Sequence, residues 1–275
     1  METKGITRRD FLKDSLVTAL TLNELAKGNT QSELIQKDLS DLSNYDFILP
    51  RIKFACDAGV SDYWHAKPGG DANLLREMGR IIRCRTKPIL NTDDISPHTA
   101  HEGQLNAVVT WDEPKRLANF PFLFMTGESH YHLNEAQERH LKEYVQNGGF
   151  LFMEDCVADR GSNDYFFTST VYHLRRIFGP DSLKPVPLTH EIFHNIFDLS
   201  GIGLPRCWGN WTGAFGIYME DRLAILLSNH DIHCGWCDSK HIILPGGTIS
   251  GYRGDATYDQ AIHMGINIIM YSLSH

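Results

Sequence analysis

The stretch "NGGFLFMEDC", Asn147 to Cys156, decides how the rest of the chain is read. Gly148 and Gly149 end a helical pattern, because glycine readily takes the backbone conformation that stops a helix. Four apolar residues follow, and the run then turns to Glu154, Asp155 and Cys156. A short apolar run between a glycine pair and a polar turn suits a strand buried on both faces, the habit of parallel sheets. A purely structural turn would more often use Gly, Asn or Pro than two carboxylates and a thiol.

The flanks carry the same alternation. Before it, "LNEAQERHLKEYVQNGG" is a helix capped by Asn134, with Ala136, Leu141, Tyr144 and Val145 on one apolar face. Earlier still, "FPFLFMTG" is a buried strand bounded by Gly127, and "PRIKFACD" is a strand ending on Asp57. "GDANLLREMGRIIRC" has helical spacing at Leu74, Leu75, Met78, Ile81 and Ile82, with Asp71 as the N-cap. Downstream, "DYFFTSTVYHLRRIFG" is a helix closed by Gly179, and "GAFGIYMEDRLAILLS" is a hairpin turning at Glu220 and Asp221. "YDQAIHMGINIIMYSLS" is a C-terminal helix, apolar on most sides. Alternating strands and helices without an internal repeat imply one α/β domain with a mostly parallel sheet over residues 46–275.

Sites in such sheets lie beyond the carboxyl ends of the strands. Asp57, Glu128, His130, Asp155 and Cys156 each follow a strand-like run, so they are expected to line one edge. "SHYH" adds His132, "SNHDIHCGW" adds His230, Asp231, His233 and Cys234, which either join the pocket or only cap it, and "GYRGD" supplies Arg253 as a cationic partner for buried carboxylates.

Of the 275 residues, 42% are hydrophobic and 22% charged, with a formal net charge of -8, which argues against a general nucleic-acid binder. No apolar run is long enough for a membrane span. Near the start, "TRRDFLK", Thr7 to Lys13, fits the twin-arginine export pattern at each position. Residues 1–45 are therefore a signal and polar leader, expected to pack little against the domain. The export machinery is the implied partner, and a periplasmic or other extracytoplasmic address follows. A chance arginine pair on an amphipathic helix would leave the protein cytoplasmic.

"RIKFACDAG", "FPFLFMTGESHY", "YVQNGGFLFMEDC", "HEIFHNIFDL" and "RLAILLSNHDIHCGWC" together resemble, in the same order, a bacterial domain-of-unknown-function family, number four-one-five-nine. The resemblance covers roughly residues 50 to 274 and implies a three-layer α/β/α, flavodoxin-like fold of the class I glutamine amidotransferase-like type. It implies no activity. Amidotransferases place their cysteine in an elbow of the form G-x-C-x-G, which needs small neighbours. Cys156 has Glu154 and Ala158 there instead, and adjacent carboxylates would raise its pKa. Standard glutaminase chemistry is not expected.

Other motifs invite chemistry. "HEIFH" matches the zinc-protease spacing at His190, Glu191 and His194, but Pro185 and Pro187 precede it and no third ligand follows. "SHYH" with Glu128 and Asp155 could offer mixed N/O metal ligands. "CGWC", Cys234 to Cys237, has redox or metal spacing but lacks a second pair, so a loop of two semi-buried cysteines is the simpler reading. No metal ligand set and no cofactor follow from these motifs. The leading reading is an exported domain binding a small ligand or metal at the sheet edge. A hydrolase using Cys156, Asp155 or Glu154 with a nearby histidine stays open, as does a zinc hydrolase through "HEIFH".

Overall fold

The computed structural model describes residues 30–56, 64–65, 68–89, 105–156, 164–207, 210, 212–237, 243–244, 247–248 and 258–275. The twin-arginine motif, Asp57 and Arg253 lie outside the described residues. Seven strands form one sheet in the order β2-β1-β3-β4-β7-β6-β5. These are β1 (Pro50–Lys53), β2 (Ala107–Thr110), β3 (Phe122–Gly127), β4 (Phe150–Asp155), β5 (Lys184–Pro185), β6 (Phe215–Met219) and β7 (Arg222–Ser228). The first four and β7 run parallel, and β6 pairs antiparallel to β7 and β5. A short β8–β9 ribbon (Ile243–Leu244, Gly247–Thr248) stands apart. The sheet is α/β and mostly parallel as read, with an antiparallel margin made by the hairpin at Glu220.

β3 and β4 form the centre because both repeat Phe-Leu-Phe-Met. In register, Phe122 meets Phe150 and Phe124 meets Phe152, with ring centroids 6.1 and 5.2 Å apart. Side chains alternate across a strand, so these phenylalanines fill one face while Leu123, Met125, Leu151 and Met153 fill the other. On the phenylalanine face pack α2 (Pro68–Ile82), through Leu74, Leu75 and Met78, and α7 (Tyr258–Ser274), through Ile262, Ile266 and Ile269. The opposite face takes Leu141, Tyr144 and Val145 of α4 (Glu135–Gln146), and Phe166 and Leu174 of α5 (Tyr165–Phe178). Each fully buried side chain of this kind contributes about 1.5–3 kcal/mol.

The turn into β4 is set by the two glycines. Gly148 has φ +95°, and a Cβ at Gly149 would strike the ring of Tyr144. The Tyr144 hydroxyl donates towards the carbonyls of Phe120 and Phe150, locking the end of α4 to β3 and β4. The start of α4 is a capping box between Asn134 and Gln137.

Two expectations need correction. Residues 30–44, read as part of a polar leader, form α1 (Thr30–Asn44), and this helix is docked. Its Asp38 is buried against Arg116 at 2.5 Å, on α3 (Pro114–Leu117), and its Asp41 binds Lys87 at 2.6 Å. A polar composition hid the docking because charged pairs carry it. Asp71 is not an N-cap: it lies within the first turn of α2, buried, where it pairs with Arg51 of β1.

Candidate functional site

The parallel strands leave the sheet at a common edge, and β1 connects outward to β2 while β3 and β4 run the other way. Open α/β sheets commonly bind ligands at such a reversal, here between β1 and β3; the cysteine cluster lies further along the same edge, at the ends of β4 and β7. At this edge β3 continues into Glu128 and His130, β4 into Cys156, and β7 into Asn229, His230 and Asp231.

The two carboxylates that end β4 point to opposite faces, as neighbours on a strand must. Glu154, fully buried, accepts backbone N–H bonds from Ile232 at 2.8 Å and His233 at 2.7 Å, plus the Ser228 hydroxyl at 3.3 Å. It thereby caps the short helix α6 (Ile232–Gly235). Burial, and then the nearby Asp231 carboxylate, pushes Glu154 up to about 8. Asp155 takes the amide of Phe167 at 2.7 Å and caps α5 on the other face. Burial again raises it well above the usual aspartate value, helped by Asp164, Asp231 and Glu128. Both groups are engaged in holding helices.

Cys156 is fully buried and donates its amide to Gly127 O at 3.0 Å. Its Sγ lies 3.6 Å from Sγ of Cys234, which α6 presents from 78 residues away. Asp231 completes the group: ligand atoms of Cys156, Asp231 and Cys234 all lie within 4.8 Å of one another. Among the described residues, no other three Cys, His, Asp or Glu side chains converge in this way. Asp231 sits at the strand-to-helix turn with φ 57° and ψ 43°, the left-handed region that non-glycine residues seldom enter.

His233 is one residue from Cys234 but faces elsewhere. Its Nε2 lies 2.8 Å from Arg51 Nη2 and 3.2 Å from Asp71 Oδ1. Nε2 thus stands between a guanidinium that donates and a carboxylate that accepts, and its contact with Asp71 is among those that lower that carboxyl. Arg51 grips Asp71 side-on at 2.8 and 2.9 Å, donates to Trp64 O at 3.1 Å, and lies over the Phe124 ring at 4.6 Å. Burial, the largest single influence, would raise Asp71, but the charges and hydrogen bonds of Arg51 and His233 together outweigh it and hold the carboxyl below the ordinary value.

The remaining predicted positions are dispersed. His130 is half-buried, with Nδ1 2.9 Å from Ser169 Oγ and its ring against Tyr165. His132 is exposed and faces His173, so "SHYH" does not form a ligand pair with Asp155. Glu128 is buried near enough to Asp155 to raise its pKa. "HEIFH" folds as a 3-10 turn, Glu191–Phe193, rather than an α-helix. There His190 caps the turn through Ile192 N at 3.2 Å, and His194 Nε2 donates to Thr189 O at 3.2 Å. The two imidazoles thus serve local backbone groups and form no ligand cluster with Glu191.

One feature is invisible in the sequence: Arg51, in "PRIK", looks like an ordinary strand residue, and nothing local announces a buried ion pair with Asp71. Asp231 is legible after the β7 run beside His230 and His233; its meeting with Cys156 is not.

No curated protein matches the chain. A family model described as a domain of unknown function, DUF4159, matches residues 53–273, and the chain belongs to that family.

Proposed function

We propose that this chain is an exported α/β domain that binds a small ligand or metal ion at the carboxyl edge of its sheet, without standard glutaminase activity. The observation that carries the reading is the convergence of Cys156, Asp231 and Cys234 at that edge. The strand order, with helices on both faces, favours the flavodoxin-like three-layer class and its amidotransferase-like branch. Cys156 fits a binding role better than a nucleophilic one. It is fully buried, it is not among the described residues with left-handed backbone, and both carboxylates beside it cap helices. A hydrolase would need a base beside Cys156, and the two adjacent carboxylates are both committed to helix amides.

Two measurements test the proposal. A thermal-shift panel of metabolites and metal ions on the full chain should contain at least one compound that raises the melting temperature, since binding to the native state stabilises it. A panel without any shift counts against binding at this edge. For export, cell fractionation should find the chain outside the cytoplasm, and replacing Arg8 and Arg9 with Lys should retain it inside. Equal distribution of both forms would remove the extracytoplasmic address.

A further inference from the structure

We propose that Cys156, Asp231 and Cys234 hold a zinc-class divalent cation in a four-coordinate site whose fourth position is open to solvent or a small ligand. The proposal rests on the reading of this edge as the binding site, and it names the occupant.

The geometry is that of ligands around an ion. Thiolates about 2.3 Å from a tetrahedral zinc stand about 3.8 Å from each other. The observed sulfur separation is 3.6 Å. The three ligand atoms lie within 4.8 Å of one another, drawn from the end of β4 and from the β7–α6 turn. Two chain segments far apart in sequence therefore agree on one point. Asp231 reaches it through left-handed backbone, a conformation that costs energy unless its surroundings maintain it.

The donor set selects the ion. Sulfur favours zinc-class metals over magnesium or calcium, which take oxygen ligands. Three protein ligands are the pattern of sites that keep a position for water or substrate, whereas structural zinc sites use four. Charge balances as well. The ion brings two positive charges, and the two thiols release two protons to solvent on becoming thiolates. Two positive charges arrive and two leave, so binding does not change the net charge of the site. Cys234, half-buried where Cys156 and Asp231 are buried, marks the side from which an ion enters.

The full chain, stripped with a chelator under reducing conditions, should take up one equivalent of zinc or cobalt(II) and retain it through gel filtration. Cobalt should show thiolate charge-transfer bands and the intense visible bands of a tetrahedral site; magnesium should neither bind there nor displace it. Cys156→Ser and Cys234→Ser should each weaken zinc binding on the order of 100-fold, at or above the usual loss for a supporting residue. Cys84→Ser, a thiol at the far end of α2, should bind as the parent does. If a variant fails to fold by circular dichroism, the wild type still decides: zinc should protect the half-buried Cys234, but not Cys84, from alkylation mapped by mass spectrometry.

No retained zinc or cobalt overturns the proposal. If a small organic compound still raises the melting temperature, the edge binds a ligand of another class. If nothing does, the broader reading falls too. A Cys156–Cys234 disulfide in the exported protein also overturns the cation site.

Discussion

His233 and Cys234 are neighbours on one short helix, yet they join two clusters of opposite character. His233 closes a network with Arg51 and Asp71, in which a guanidinium, a carboxylate and an imidazole meet. Cys234 meets Cys156 and Asp231, three groups that all become anionic or already are. The difference teaches what each is for. A cluster containing its own counter-charge is complete when the chain folds. In the proposed site, a bound cation would supply the charge that these anion-forming groups share. Substitutions in the first should therefore damage the fold, and substitutions in the second should damage binding.

The sharpest break should come from Arg51→Met. It leaves Asp71 buried without its charge partner, and removing one member of a buried pair costs about 3–5 kcal/mol. Urea denaturation measures this. A loss under about 1 kcal/mol would mean that the network does not tie β1 to α2.

Glu154→Gln should cost about 1–3 kcal/mol, because an amide N–H₂ replaces one oxygen facing the amides of Ile232 and His233. This change lies between the two clusters, since α6 carries members of both. It should lower urea stability and also weaken zinc binding by displacing Cys234. Loss of one without the other would show that α6 does not couple them.

Acid titration distinguishes the closed cluster in another way. The folded pKa of Asp71 lies below its ordinary value of 3.8, so the unfolded chain binds the proton first. Its stabilising contribution is complete above that value and fades as the pH falls through it towards the folded pKa. The stability difference between wild type and Asp71→Asn should accordingly shrink as the pH falls from about 4 towards 2. A constant difference over that range would contradict the assigned shift.

The smallest effect on the apo fold should belong to Cys156→Ala, within about 1 kcal/mol, because the removed atom is small and the site is built for an ion. The stabilisation by zinc should vanish in the same variant. At a free-ion concentration 1,000 times the dissociation constant, that stabilisation is about 4 kcal/mol for the parent. Denaturation curves with and without zinc supply both numbers. A Cys156→Ala variant that is badly destabilised without zinc would turn this cluster into a structural one.

Local chemistry determined much of this protein. The glycines after α4, the Asn134 cap and the apolar runs of β3 and β4 are readable from sequence because their causes lie within a few residues. Parallel order follows from alternating strands and helices, and with it a polar edge ending in Glu154, Asp155 and Cys156. Tertiary structure alone decided what those three groups do. The two-residue period of a strand sends Glu154 towards α6 and Asp155 towards α5, and which helix waits on each face depends on how the chain crosses the sheet. The same crossing brings Cys234 to Cys156 across 78 residues and joins Arg51 to Asp71. A side chain's partner at that distance is set by strand order and register, which no short stretch of sequence contains.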